Sequence, residues 1–291
     1  MKLLNAMPPY NLFGLEDQNY EKAKVVVMPV PYDSTSTYKV GAKDGPQAII
    51  TASRNIELYN EETDSDISDI GIYTTEELAP NFDSPEKMVN SIEKEVGMVL
   101  DDRKMPLILG GEHTVSLGPI RALAKRNKNF TVLQFDAHAD TRDEYLGSKY
   151  CHACVMARAR DVCKSCYGVG IRSMEGKENA KRYGKQILCM KDMHGMKNEE
   201  IIKSILNNTK DEIYLTIDLD VLDPSEMPST GTPEPAGMKY WDLLQVLKGV
   251  IKSRKVIGLD FVELCPIPGF IAPDFLAAKL IFNTLSYIFQ N

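Results

Sequence analysis

The chain of 291 residues is short of several residue types, and each shortage narrows what it can be. It has one tryptophan, four histidines and six cysteines. It has no Lys/Arg-rich run, and acidic residues outnumber basic ones 41 to 34, so nucleic acid is not an expected partner. No apolar run is long enough to cross a bilayer, which sets a membrane role aside. The opening segment MKLLNAMPPYNLFGLEDQNY lacks a continuous apolar core of signal-peptide length before Pro8 and Pro9 interrupt it. A cytoplasmic protein is therefore expected, its cysteines reduced thiols and not a disulfide framework. Repeats, low-complexity tracts and convincing domain boundaries are also missing, so residues 1–291 are expected to form a single domain.

What the chain has in quantity is apolar residues, 43% of the total, many of them in short β-branched runs. Residues 24–30 (KVVVMPV), 106–110 (PLILG), 131–135 (TVLQF), 166–171 (CYGVGI), 212–217 (EIYLTI) and 255–260 (KVIGLD) read as strands. Being near-continuous and not alternating, these runs predict burial on both faces. Helical periodicity falls between them. In 84–101, Met88, Ile92, Val96 and Val99 recur at three- and four-residue spacing, and Ser84 is a suitable N-cap. Further helices are predicted at 117–126, 197–207, 240–251 and 275–289, with Trp241 and the aromatic positions of the last one read as core. Segment 60–85 is acidic and reads as an irregular excursion. Strands alternating with helices predict an α/β fold, three layers (α/β/α) around a mainly parallel central sheet.

The chemistry sits just after the strands, where the carboxyl ends of a parallel sheet gather ligands. Asp136-Ala137-His138-Ala139-Asp140 directly follows TVLQF, and alternate residues of an extended turn point the same way. Asp218-Leu219-Asp220 follows EIYLTI with the same alternation, and Gly110-Gly111-Glu112-His113 leaves PLIL through two glycines that permit a tight turn. Taken singly, Asp-x-His-x-Asp could be a capped turn, Asp-x-Asp an aspartate bonded to its own backbone, and His113 a helix-start residue. Taken together they would crowd carboxylates that repel and resist burial unless a cation compensates them. Two imidazoles and four aspartates suit a pair of divalent cations, and the oxygen–nitrogen mixture favours manganese over thiolate-bound zinc.

These segments resemble the ureohydrolases (arginase, agmatinase and relatives): GGEHTVSLG at 110–118, FDAHAD at 135–140, TIDLDVLDPS at 216–225, GTPEPAG at 231–237 and GLDFVE at 258–263. The resemblance runs from about Val25 to the last helix. It implies an arginase-like fold and two Mn2+ per subunit. His113, Asp136, Asp140 and Asp218 would hold one, and His138, Asp136, Asp218 and Asp220 the other, with Asp136 and Asp218 bridging. It further implies that Asp140 orients the attacking water and passes on its proton, that Glu263 binds the guanidinium, and that His152 in YCHAC shuttles protons. The residues around His152 depart from the His-Gly pattern of relatives. Glu112 stands where many have Asp, and Ala236 replaces the first glycine of a common pair.

The stretch 141–150 (TRDEYLGSKY) lacks the asparagine with which arginases grip an α-amino acid, and with 31–49 it looks more like agmatinases. The implied partner is a small cationic guanidino substrate, agmatine first, cleaved to putrescine and urea. Asp143 and Glu144 are candidates for attracting its amine. Arginase, guanidinobutyrase and formimidoylglutamase activities remain alternatives, as does a non-catalytic metal-binding relative, and the resemblance implies a homo-oligomer, trimer or hexamer. A zinc site on Cys151-x2-Cys154 and Cys163-x2-Cys166 is disfavoured by the short spacing between the pairs. Cys189 and Cys265 read as small apolar fillers, and His194 as a loop or surface residue.

Overall fold

The computed structural model describes residues 7–290. The first six residues of the opening segment, part of the stretch in which no signal core is expected, lie outside them. The strands are β1 (Val25–Val30), β2 (Ile72–Thr74), β3 (Met105–Gly110), β4 (Thr131–Phe135), β5 (Cys166–Ile171), β6 (Ile187–Cys189), β7 (Glu212–Asp218) and β8 (Lys255–Val262). They form one eight-stranded sheet in the order β2-β1-β3-β8-β7-β4-β5-β6, with every pairing parallel. β1, β4 and β5 are buried along their whole length, as continuous apolar runs require in a sheet covered on both faces.

Helices α2 (Pro85–Asp101), α3 (Leu117–Arg126) and α4 (Val155–Val162) pack in sequence on one face of the sheet. Helices α1 (Gly45–Ser53), α7 (Asn198–Asn208), α8 (Tyr240–Ile251) and α9 (Ala272–Ile288) cover the other. α5 (Gly176–Tyr183) and α6 (Met190–Met193) flank the β6 edge. Ser84 caps α2 as its sequence suggests, accepting from the Lys87 amide. The apolar stripe of α2 (Met88, Ile92, Val96, Val99) is buried against the sheet. Among the described residues no helix is long and apolar enough to cross a membrane.

Three expectations change. Segment 60–85 contains β2, preceded by a 3-10 turn, Ile67–Ile70, whose two isoleucines are buried despite the acidic surroundings. Trp241 is 58% exposed, because it lies two residues, or 200°, around α8 from the buried Leu243. Phe275, also expected in the core, is 41% exposed at the start of α9, whereas Phe282 and Tyr287 of that helix are buried. His194 lies exposed in a turn, as expected.

Candidate metal centre

The central strands β3, β8, β7 and β4 are neighbours, and their carboxyl ends deliver the six predicted ligands and Glu263 to one place. His113 opens a 3-10 turn (His113–Ser116) after β3, Asp218 ends β7, and Asp220 lies in the 3-10 turn that follows. The glycines leaving β3 act differently from the expected tight turn. A Cβ on Gly111 would lie 2.1 Å from the Tyr32 carbonyl oxygen, so what the chain needs there is close approach. Gly111 N–H donates to Val30 O and its carbonyl accepts from Glu263 N–H, locking β1, β3 and β8 together beneath the site.

His113 Nδ1 lies 3.1 Å from Asp136 Oδ2, 3.1 Å from Asp140 Oδ2 and 3.4 Å from Asp218 Oδ2. His138 Nδ1 lies 2.9 Å from Asp220 Oδ2 and 3.7 Å from Asp136 Oδ1. Ligand atoms of His113, Asp136 and Asp140, and those of Asp136, His138 and Asp220, gather within 4.8 Å of one another, so Asp136 belongs to both sets. Asp218 stands beside the first set, its other oxygen accepting from Asp220 N–H. Asp140 and Glu263 both adopt left-handed backbone, at φ 50 and 66. Such strain concentrates where surrounding structure over-determines a functional side chain.

A hydrogen-bond chain fixes which nitrogen of His113 is bare. The Thr216 hydroxyl donates to Asp260 Oδ1 at 2.7 Å, and Tyr214 donates to the other oxygen of the same carboxylate. Thr216 Oγ1, 2.8 Å from His113 Nε2, therefore accepts from it, and the proton sits on Nε2. His113 Nδ1 is left buried, without a hydrogen-bond partner, facing carboxylate oxygens. Lone pair against lone pair is repulsive unless a cation lies between, so the donor set fits a metal ion. Gln134 serves Asp136 in a similar way, donating to its Oδ2 at 2.7 Å and to the His138 carbonyl at 3.1 Å. Each of these helpers is a polar residue inside an apolar strand, two before a ligand aspartate, a signal visible in TVLQFD and EIYLTID that strand-reading passes over.

Charge within the cluster is unevenly held. Burial raises Asp218 far above the carboxylate range, helped by Asp220 and Asp136, and burial with Asp136 raises Asp140 to about 6. Asp136 is instead lowered, because the two imidazoles beside it, His113 and His138, outweigh its burial. Burial opposes charge on the imidazoles too, yet the carboxylates raise His113 well above its ordinary value and His138 to about 12. Protons here take the place of a cation, and metal binding would release them.

Above the cluster lies a cavity of about 160 Å³. Its floor is formed by His113, His138, Asp140, Asp218, Asp220 and Glu263, and its walls by His152, Tyr145, Arg142, Lys39 and Thr232 among others. Burial, then the nearby His138 and His113, hold His152 down at about 4, so its imidazole is neutral. Its Nδ1 lies 3.3 Å from Thr35 Oγ1, while Thr35 N–H and O–H both donate to buried Glu112. Glu112 is thus a brace for the pocket wall. Burial raises Glu263 to about 8, and its Oε1 accepts from His113 N–H. Asp143 is paired with Arg158, and neither it nor Glu144 lines the cavity, so the expected amine-attracting role finds no support in their placement. The wall residues Lys39 and Arg142 were missed, because loops far apart in sequence meet only in the fold. No group containing the cysteines gathers metal-ligand atoms among the described residues, and all six are free thiols.

Buried imidazoles and carboxylates at the carboxyl ends of a parallel sheet define the class the geometry alone supports: an α/β protein with a centre fit to hold metal. The profile of the Arginase family matches residues 23–286. An N(1)-aminopropylagmatine ureohydrolase from Synechocystis sp. is 34% identical over 92% of this chain and 90% of its own length. An agmatinase from Pyrococcus horikoshii is 32% identical over 95% and 96%. The crystal structure of the agmatine ureohydrolase of Thermoplasma volcanium superposes with a TM-score of 0.85 at 30% identity, covering 93% of this chain and 92% of that one. The chain belongs to the arginase family, as a hydrolase acting on linear amidine C–N bonds.

Proposed function

We propose that the protein hydrolyses agmatine to putrescine and urea with two Mn2+ ions, one held by His113, Asp136, Asp140 and Asp218 and the other by His138, Asp136, Asp218 and Asp220. The observation that carries this reading is the bare, buried Nδ1 of His113 inside a ring of carboxylates. When bound, the paired cations supply a water acidic enough to attack near neutral pH. The chain's own groups do the rest. Glu263, whose Oε1 is occupied by the His113 amide, offers Oε2 to the planar fork of a guanidinium beside Gly231. Asp140 orients the nucleophile and carries its proton towards the leaving amine. His152, a neutral imidazole on the cavity wall, relays protons to solvent. The support for a cationic tail is the likeness to enzymes named for agmatine and its N(1)-aminopropyl derivative. We place this activity in the cytoplasm, in one domain and in a homo-oligomer, trimer or hexamer.

A second reading has its own observation. The acids lining the cavity all belong to its floor, while Lys39 and Arg142 stand on its walls. Lys39, which donates to the Cys265 carbonyl, and Arg142, which is paired with Glu175, are the groups a carboxylate-tailed guanidine such as guanidinobutyrate would meet. Manganese-loaded protein should be offered agmatine, N(1)-aminopropylagmatine, arginine, guanidinobutyrate and formimidoylglutamate, with urea (formamide for the last) measured. Preference for agmatine supports the first reading, and preference for guanidinobutyrate replaces it with the second. No product from any of the five overturns both.

A further inference from the structure

Cys151 and Cys154 bracket His152 and Ala153, two residues that line the cavity. The pair belongs to no ligand set and has no part in the proposed chemistry. Its geometry is specific. Cys151 is the N-cap of a 3-10 turn, His152–Cys154, that runs straight into α4. Cys154 N–H donates to Cys151 O at 2.9 Å, and the two sulfurs are 2.9 Å apart, against about 2.05 Å for a disulfide bond. Residues three apart on such a turn share a face, and a cysteine at a helix N-terminus has its thiolate favoured by the free amides there. The second pair lies elsewhere: Cys163 Sγ donates to the carbonyls of Phe130 and Ser165 and Cys166 Sγ to that of Cys163, and no residue from 163 to 166 lines the cavity. In the first pair, Cys154 Sγ makes a longer contact with a backbone carbonyl, that of Ser148 at 3.7 Å.

We propose that Cys151 and Cys154 are a reversible redox pair, and that their disulfide turns the active site down by resetting the turn that carries His152. The oxidant is a small peroxide, since both sulfurs are almost fully buried and the two residues between them, His152 and Ala153, line the cavity. The Cys151 thiolate attacks one peroxide oxygen and breaks the O–O bond, giving a sulfenic acid and hydroxide, which takes up the proton the thiol had shed and leaves as water. Cys154 then displaces hydroxide from that sulfur, which leaves as a second water. The two thiols lose two electrons and two protons, and hydrogen peroxide gains them. A dithiol reverses the step by exchange.

Closing the sulfurs by about 1 Å moves the two residues between them. His152 has little slack: its N–H donates to Thr35 Oγ1 at 3.1 Å, and its ring nitrogen is 3.3 Å from that same oxygen. The longer contact is near the limit of a hydrogen bond, so a small shift removes it. The inhibitory half of the proposal rests on the role assigned to His152 under the proposed function. The pairing of the cysteines does not.

The test treats metal-loaded protein with hydrogen peroxide, alkylates the remaining thiols and digests with trypsin. Cys151 and Cys154 fall in one tryptic peptide, residues 150–158, whereas cleavage after Lys164 separates Cys163 from Cys166. The expected result is peptide 150–158 lighter by two hydrogens and unalkylated, with turnover down about tenfold, restored by dithiothreitol. Cys154→Ala should keep its activity under the same peroxide, and Cys151→Ala is the second variant should the first not fold. Peptide 150–158 doubly alkylated, or a link only between 161–164 and 165–172, overturns the redox pair. A 150–158 disulfide with turnover unchanged overturns its control of the site. Protein silent on every guanidine before oxidation fails the functional reading instead, and the peptide still decides the pairing.

Discussion

The two ends of the four central strands could hardly differ more in what they bury. At the amino end and middle, β7 and β8 contribute Ile213, Leu215 and Leu259 to a core that excludes water entirely. At the carboxyl end of the four strands, His113, Asp136, Asp140, Asp218, Asp220 and Glu263 crowd together, with left-handed backbone at Asp140 and Glu263. One end lowers the free energy of the fold by removing apolar surface from water, and the other raises it by bringing like charges together. The lesson is that stability and chemistry are separated by only a few residues along each strand, so mutations can be chosen to move one without the other.

The sharpest way to test that separation is Asp218→Asn. Turnover should fall on the order of a thousandfold, about 4 kcal/mol in barrier, because the variant loses a ligand oxygen. The metal-stripped variant should nevertheless melt a few degrees higher than metal-stripped wild type, since Asp218 faces Asp220 and Asp136 from a buried position. Calorimetry of the two stripped proteins decides it, and a lower melting temperature in the variant would contradict the picture of a self-repelling cluster.

Ile213→Ala, at the other end of β7, is the converse. It should cost roughly 2–5 kcal/mol in urea unfolding while turnover per folded molecule stays within about threefold. A large loss of turnover with stability intact would mean that the two ends are mechanically coupled. Between them stands Thr216→Val, which removes the hydroxyl holding the His113 tautomer. Manganese affinity, followed by titration calorimetry, should weaken roughly 10–100-fold, and excess metal should restore most of the turnover. Unchanged affinity would leave Thr216 a packing residue.

The comparison also explains what could be read from the chain. The runs 131–135 and 166–171 match β4 and β5 residue for residue, since fully buried strands are mostly apolar and admit a polar side chain such as Gln134 only where it is hydrogen-bonded. Aspartates directly after β4 and at the end of β7 then mark the carboxyl edge, which is why the ligand cluster was legible. β2 and β6 escaped because three-residue edge strands carry too little pattern to stand out. α5, GKENAKRY, escaped because it buries only Tyr183 and so has no apolar stripe. Of the cavity walls, His152 was legible through its motif, but Lys39, Arg142 and Thr232 escaped for another reason: they come from separate loops, and no local periodicity connects them.

Ala236 tests the comparison most finely, because it puts strain near the carboxyl edge on a residue outside the proposed ligand set. It sits at φ 62, exposed, where the sequence alone showed only that a glycine common in relatives was replaced. An L-residue in that region costs about 1–2 kcal/mol, and glycine removes the clash at an entropic cost of about 0.5–1 kcal/mol in the unfolded chain. Ala236→Gly should therefore stabilise the protein by a few tenths of a kcal/mol to about 1 kcal/mol, read as a small rise in the urea midpoint. The neighbouring Gly237 N–H donates to Asp223 Oδ2, and Arg172 donates to the carbonyls of Glu234 and Pro235, so this loop is held whichever residue occupies 236. Turnover should consequently be unchanged. Were turnover to fall while stability rose, the strain at Ala236 would be part of how the loop presents Thr232 to the substrate, and the line between the stabilising and the catalytic parts of the molecule would have to be redrawn to include it.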